Sequence, residues 1–254
     1  MAVVIHVHAL PNHPWLYRWL QRLTRGVLLY NSRKACCHFG DDPASARILM
    51  PSIQRPVEPS VEAKRRMRFV AAGAFVPSKH FHLLLEAFRP LRSEGLDTRL
   101  VIFGLSDHPL DRDYQQKIID SCQGNDSIRL EPWTSDWTSR LASSDIFVHL
   151  GKPESFGIVT LEAFARGCRL VILADTFVDD LPEPARSQGV YRTSELSPCA
   201  VKDAMKDAAQ GVDSARDLWQ NRRVTQSCFS LAGKETPLMS LYRSVAFRNS
   251  TDRA

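Results

Sequence analysis

Long apolar runs are what this chain most plainly lacks. None approaches the eighteen or so residues a helix needs to cross a bilayer, so no membrane-spanning segment is expected. The opening "MAVVIHVHALPNHP" is too short in its apolar part, and too rich in His and Pro, for a signal peptide. No C-x-x-C pair joins the six cysteines, at positions 36, 37, 122, 168, 199 and 228. Scattered in this way they suit reduced thiols in a cytoplasmic protein, not a disulfide frame or a zinc site. Internal repeats and low-complexity segments are absent too. With 44% hydrophobic and 24% charged residues, the chain has the composition of a folded globular protein and not of a disordered one.

A net charge of +5 raises the question of an anionic partner. The clusters "AKRRMR" (63–68) and "WQNRR" (219–223) could meet a nucleotide, a nucleic acid or a membrane surface, or could simply be solvated basic faces. Aromatic residues do not interleave with them in the manner of RNA-binding proteins, so nucleic acid is not the expected partner. Peripheral contact with the inner face of a membrane stays open.

What the chain does have is apolar β-branched runs alternating with helical stretches. Candidate strands lie at 3–9, 26–32, 47–52, 67–75, 98–104, 127–132, 145–150 and 169–174. The clearest helix is "SKHFHLLLEAFRPLRSEG" (78–95), with Ser78 as N-cap, Leu84, Phe88 and Leu91 at helical spacing, and Gly95 at its end. Nearly continuous apolar strands between helices indicate a parallel sheet covered on both faces, the doubly wound α/β class. Pro51, Pro56 and Pro59, followed by charge, mark a linker. The expected division is a partial N-terminal α/β segment (1–54), a linker (55–66), a complete Rossmann-like domain (67–235) and a C-terminal helix and tail (236–254).

Ligands of such domains bind at the carboxyl ends of the strands, where loops enter helices. Three loops there carry suggestive residues. In "AAGAFVPSKH", Gly73 ends a strand and Lys79 stands at the next helix, a place suited to phosphate but also common for solvated lysines. In "FGLSDHP", Gly104 permits close backbone approach and specifies nothing by itself. In "GKPESFGIVTLEAFARG", Glu154 lies in the turn and Glu162 on the helix, either side of the amides of Gly157, Ile158 and Val159. Those amides could receive an anion, while two carboxylates beside it would need a neutral, hydroxyl-rich group to accept from. A nucleotide sugar offers both. The plainer alternative leaves Glu154 solvated and pairs Glu162 with a nearby base. His6 and His8 share one strand face at period two and could form a zinc pair, though no convincing ligand cluster surrounds them.

Taken in order, "GAFVPSKHFHLLLEAF", "LVIFG", "IRLEPWTSD" and "DIFVHLGKPESFGIVTLEAFARGCRLVILAD" resemble the C-terminal donor-binding domain of the retaining GT-B glycosyltransferases, the family-4-like group. The resemblance is good over residues 66–175 and loose outside them. It implies a GT-B fold, a UDP- or GDP-linked sugar as donor, an acceptor of unknown kind, and no bound metal or other cofactor. By the same resemblance Glu154 and Lys79 would be catalytic: Glu154 on the donor-sugar hydroxyls, Lys79 with the amides of Gly157 and Ile158 on the departing diphosphate. Phe156 and Val159 would belong to the donor loop, Glu162 would hold the ribose, and Trp133 would flank the base beside Gly73 and Gly104. His8 would face the cleft.

The sequence departs from that family at several points. Ala74 stands where the family has an arginine beside the lysine, His80 follows Lys79 in place of glycine, and "DTFVDD" (175–180) replaces a Gly-Gly loop. Lys152 or Arg55 could substitute for the missing guanidinium. The first fifty residues match only the closing part of the family's N-terminal domain, which would leave a sheet edge for a partner strand or chain. A transferase of polysaccharide or glycoconjugate synthesis is the reading favoured. Against it stands a catalytically weak or inactive nucleotide-sugar-binding module working beside another subunit, and, less well matched in motifs, a nucleotide-sugar epimerase.

Overall fold

The computed structural model describes residues 3–8, 10–51, 67–173, 177–181, 185–193, 195–211 and 223. The expected linker, the C-terminal segment 236–254, Arg55 and the basic runs 63–66 and 219–222 lie outside these residues. So do positions 174–176, which include the last residue of the 169–174 run and the start of "DTFVDD". The chain divides into two units. Among the described residues the first holds those up to 51 together with Pro153–Gly157; the second holds those from 67 to Lys152 and from Ile158 onward.

In the first unit, β1 (Val4–Val7) and β2 (Val27–Tyr30) pair in parallel, with Val4 opposite Val27 and Val7 opposite Tyr30. Helix α1 (Pro14–Thr24) connects them and α2 (Arg33–His38) follows. Proline at the start of α1 gives up no helical hydrogen bond, and Ser32 caps α2 by accepting from the Ala35 N–H at 3.0 Å. Val7, Leu28, Tyr30, Ala35, Cys36 and Phe39 form the unit's small core. The strand expected over 47–52 is reduced to one parallel bridge, Ile48 to Tyr30. Strand β2 ends at Tyr30, and Pro51 has no N–H with which to extend the ladder.

The second unit carries a parallel sheet of β3 (Arg68–Ala72), β4 (Arg99–Leu105), β5 (Ile128–Pro132), β6 (Ile146–His149), β7 (Arg169–Leu173) and β8 (Val190–Thr193). Its spatial order is β5-β4-β3-β6-β7-β8. Helices α3 (Phe81–Ser93), α4 (Arg112–Cys122), α5 (Ile158–Ala165) and α6 (Pro198–Gln210) intervene or follow. Leu84, Leu85, Phe88 and Leu91 of α3 pack with Val201 and Met205 of α6 over one sheet face. Because both faces are covered, β3, β6 and β7 read as nearly continuous apolar runs, as the sequence suggested. Edge strand β8 was not foreseen: "VYRT" is short, half exposed and carries an arginine.

Helix α3 also starts later than its sequence suggests. Pro77–Lys79 form a separate 3₁₀ turn, and His80 then takes a left-handed φ of 53°. That backbone break makes His80 the residue before the helix, so Ser78 is not its cap. The Ser78 carbonyl instead accepts from the Lys152 N–H at 2.9 Å, tying the turn to the loop after β6. His80 thus occupies a conformation glycine would adopt without strain.

Candidate functional site

Counted within the second unit, the strands run 3-2-1-4-5-6, and the order reverses between β3 and β6. Such a reversal opens a crevice at the strands' carboxyl ends, because the connections on either side leave toward opposite faces. Residues 73–80 leave β3 at that point and residues 150–152 leave β6.

Two glycines keep the crevice open. Gly73 has a φ of 147°, and a Cβ there would meet the Lys79 stem, its Cε at 3.7 Å. A Cβ on Gly151 would lie 2.9 Å from His149 Nε2 and 3.3 Å from Lys79 Cδ. Lys79 therefore runs beside two glycines, Gly73 required by its φ and Gly151 by the closeness of Lys79 and buried His149. Gly104 is required for a different reason. Its φ is 150°, and a Cβ would fall 1.9 Å from the Gly73 carbonyl oxygen, where the register between β4 and β5 shifts.

Beside these glycines is a cavity of about 250 Å³, walled by Gly73, Ala74, Gly104, His108, Leu110 and Trp133 among others. Trp133 directly follows β5, donates its backbone N–H to Leu105 at 3.0 Å, and is 47% exposed. A planar, half-open indole on a cavity wall can stack on a flat ring. Ala74 is exposed on the same wall.

From Trp133 the contacts lead to Glu162. The Trp133 and Trp137 rings lie 6.1 Å apart, and Trp137 Nε1 donates to Glu162 Oε2 at 3.1 Å. Trp137 is 1% exposed, wedged against Phe103 and Phe147. Burial pushes the Glu162 carboxyl above the usual glutamate value, and the indole N–H only partly offsets it. The partner of Glu162 is thus a neutral donor and not the base that its sequence context allowed. Trp137 and Gly151 are the residues sequence reading passed over. Trp137 stands four positions after Trp133, and a buried indole always asks for an acceptor.

The remaining donor-loop positions divide at Gly157. Ile158 and Val159 open α5, with Ile158 half exposed. Glu154, Ser155, buried Phe156 and Gly157, with a φ of 89°, group with the first unit. Ser155 anchors that stretch: its hydroxyl donates to the His8 carbonyl at 2.8 Å and accepts from Asn31 Nδ2 at 3.2 Å. Its carbonyl accepts from the Ser32 hydroxyl at 2.6 Å. The Ser155 N–H donates to Glu154 Oε1 at 3.2 Å, which orients the carboxylate. His8 contributes its carbonyl here, and its ring stacks on that of His6 at 5.7 Å. Among the described residues no group of three or more metal-ligating side chains gathers.

Comparison with known proteins converges on one family. The model for "Glycosyl transferases group 1" matches residues 54–223. No curated protein matches the chain. Among solved structures, a glycosyltransferase from Rickettsia africae ESF-5 superposes with a TM-score of 0.76 at 14% identity, over 96% of this chain and 70% of that one. Anabaena Alr3699/HepE in complex with UDP and glucose gives 0.71 at 14% identity, over 98% and 71%. The pneumococcal O-GlcNAc transferase GtfA, in complex with UDP and GlcNAc, gives 0.69 at 14% identity, over 96% and 52%. At such identity the likeness establishes the fold, that of the GT-B glycosyltransferases.

Proposed function

This chain belongs to the group 1 glycosyl transferases, and from there we propose that it moves a sugar from a UDP- or GDP-linked donor to an acceptor, with retention at the anomeric carbon. The observation that carries the donor reading is the continuous path from the Gly73–Gly104–Trp133 cavity through Trp137 to the half-buried Glu162 carboxylate. Trp133 stacks on the base. Glu162 keeps Oε1 for a ribose hydroxyl while Trp137 holds Oε2. UDP bound to Anabaena Alr3699/HepE and to pneumococcal GtfA is in keeping with such a ligand.

Lys79 meets the diphosphate with the amides of Gly157, Ile158 and Val159. Negative charge grows on that diphosphate as the glycosidic bond breaks, so a cation and oriented N–H groups stabilise the transition state more than the ground state. Gly151 lets Lys79 lie where a Cβ would crowd it, while Gly73 is set by its backbone angle. Glu154, eight residues before Glu162, is assigned to the donor-sugar hydroxyls, with Phe156 shaping its loop. The chemistry assigned to these residues uses no metal. The work is placed on the cytoplasmic side, in polysaccharide or glycoconjugate synthesis.

Titration calorimetry with UDP, GDP and their sugars tests the donor site. Wild type should bind one nucleotide, and Glu162→Ala should bind it at least about tenfold more weakly, the size of one lost charged hydrogen bond. Equal binding by the variant removes the ribose role, and no binding by either removes the donor site. A second reading, a nucleotide-sugar-binding module beside another subunit, draws on Ala74, whose methyl stands exposed where a guanidinium could clamp phosphate. Donor binding without transfer or hydrolysis, recovered by Ala74→Arg, would favour it.

A further inference from the structure

Helix α1 carries an unusual load for a helix at a protein surface. Trp15, Trp19 and Leu23 are 65%, 54% and 66% exposed, and Leu16 and Leu20 are 42% and 36% exposed. Their spacing of one, three and four residues gathers all five on a single face about 12 Å long. No residue of the helix is buried. The opposite side is the one that is held: Tyr17 packs edge-on to Phe39 at 5.6 Å, and Arg18 is paired with Asp41 and bonds the Phe39 carbonyl at 3.1 Å. The apolar face therefore points outward by construction, and not because the helix is loosely attached.

The charges of the helix and of its end point to its occupant. The first forty residues contain no Asp or Glu. Arg22 and Arg25 are exposed on α1 and at its end, and Arg33 and Lys34 follow in the same unit. Tryptophan and leucine on one side of a helix that itself carries arginine and no acid is the makeup of a helix lying in the plane of a lipid interface. There the rings and isobutyl groups enter the acyl boundary while the guanidinium groups meet anionic headgroups. A second copy of this chain fits less well, because a self-complementary contact through this face would set arginine against arginine. At 11 residues α1 is too short to span a bilayer, and no described helix is long and apolar enough to do so.

We propose that α1 is a membrane-docking helix, seating the first unit on an anionic lipid surface through Trp15, Leu16, Trp19, Leu20 and Leu23. The inference does not rest on the donor reading, since it uses none of the residues assigned there. It adds to the group 1 transferase a surface that would keep the enzyme beside lipid.

Vesicle co-sedimentation of the full chain tests it. The probes are phosphatidylcholine vesicles alone and the same vesicles with a third phosphatidylglycerol. Wild type should partition onto the mixed vesicles at least about tenfold more strongly than onto neutral ones, and high salt should erase most of that preference. Trp15→Ser with Trp19→Ser should lower partitioning by about tenfold or more without changing nucleotide binding. A wild-type measurement covers the case in which that variant does not fold: lipids brominated near the glycerol should quench tryptophan emission. Absence of partitioning, absence of quenching, or equal partitioning by a folded double variant overturns the proposal. So does concentration-dependent dimerisation that the double substitution abolishes, because the face would then belong to a second copy.

Discussion

A glutamate carboxyl accepts hydrogen bonds from a sugar hydroxyl more strongly when ionised than when protonated. On the proposed ribose role of Glu162, its raised value should place acid loss of nucleotide affinity at a higher pH than for a glutamate in water. Trp137 works against the shift by donating to the ionised form. Trp137→Phe should therefore move the midpoint of the affinity–pH curve further upward, read by calorimetry across pH 4.5–7.5. An unmoved midpoint would mean that Trp137 serves packing alone. Linkage runs the other way for stability. A folded value above the unfolded one stabilises at low pH and is lost as pH rises through it, so Glu162 contributes nothing to stability at neutrality. Glu162→Gln should weaken nucleotide binding without lowering the neutral-pH melting temperature. The opening of a helix between the two glutamates was readable from "PESFGIVTLEAFARG". The Trp137 partner was not, because it comes from a segment 25 residues away that folding brings to the carboxylate.

Among the elements, β3 and β6 form the switch point, and a buried ion pair holds their opposite ends together. Arg68, at the start of β3, makes two bonds of 2.8 Å to Asp145, which precedes β6 and is fully buried. Asp145 also accepts from the Ala142 N–H at 2.8 Å, closing the turn that leads into the strand. Removing one partner strands the other charge, so Asp145→Ala should cost about 3–5 kcal/mol by denaturant unfolding. Replacing both by apolar side chains, Arg68→Met with Asp145→Leu, should recover part of that loss. A near-neutral Asp145→Ala would show the pair to be dispensable. Strand positions were legible because alternating helices and apolar runs leave few other arrangements. Helix α3 was misjudged at its start because a 3₁₀ turn and a left-handed His80 intervene, and no local periodicity announces such a break.

Across the whole molecule, each unit carries a histidine that burial holds below its usual value of 6.5. In the first unit this is His6, with His8 adding repulsion; in the second it is His80, with His82 and Lys152 adding theirs. When the folded value is the lower one, the unfolded chain takes up the proton first. Stability is then full above about 6.5 and declines as pH falls toward the folded values. Calorimetric melting should show the temperature falling between pH 7.5 and 5.5, and His6→Asn with His80→Asn should flatten that slope. A melting temperature that holds or rises over this range would contradict the assignment.

Composition, strand–helix alternation and the order of four motifs were enough to determine the α/β class and the group 1 transferase lineage. These depend on local periodicity and on residue types at set spacings, which the linear chain displays. Folding alone decided which glycines lie against Lys79, that Trp137 and not a basic residue holds Glu162, and that the loop of Glu154 is tethered through Ser155 to the ends of β1 and β2. It also decided that the tryptophans of α1 face outward while its Tyr17 and Arg18 are held. The physical reason is common to all of these: each depends on residues far apart in sequence, and on which face of an element is left for solvent once its neighbours are in place.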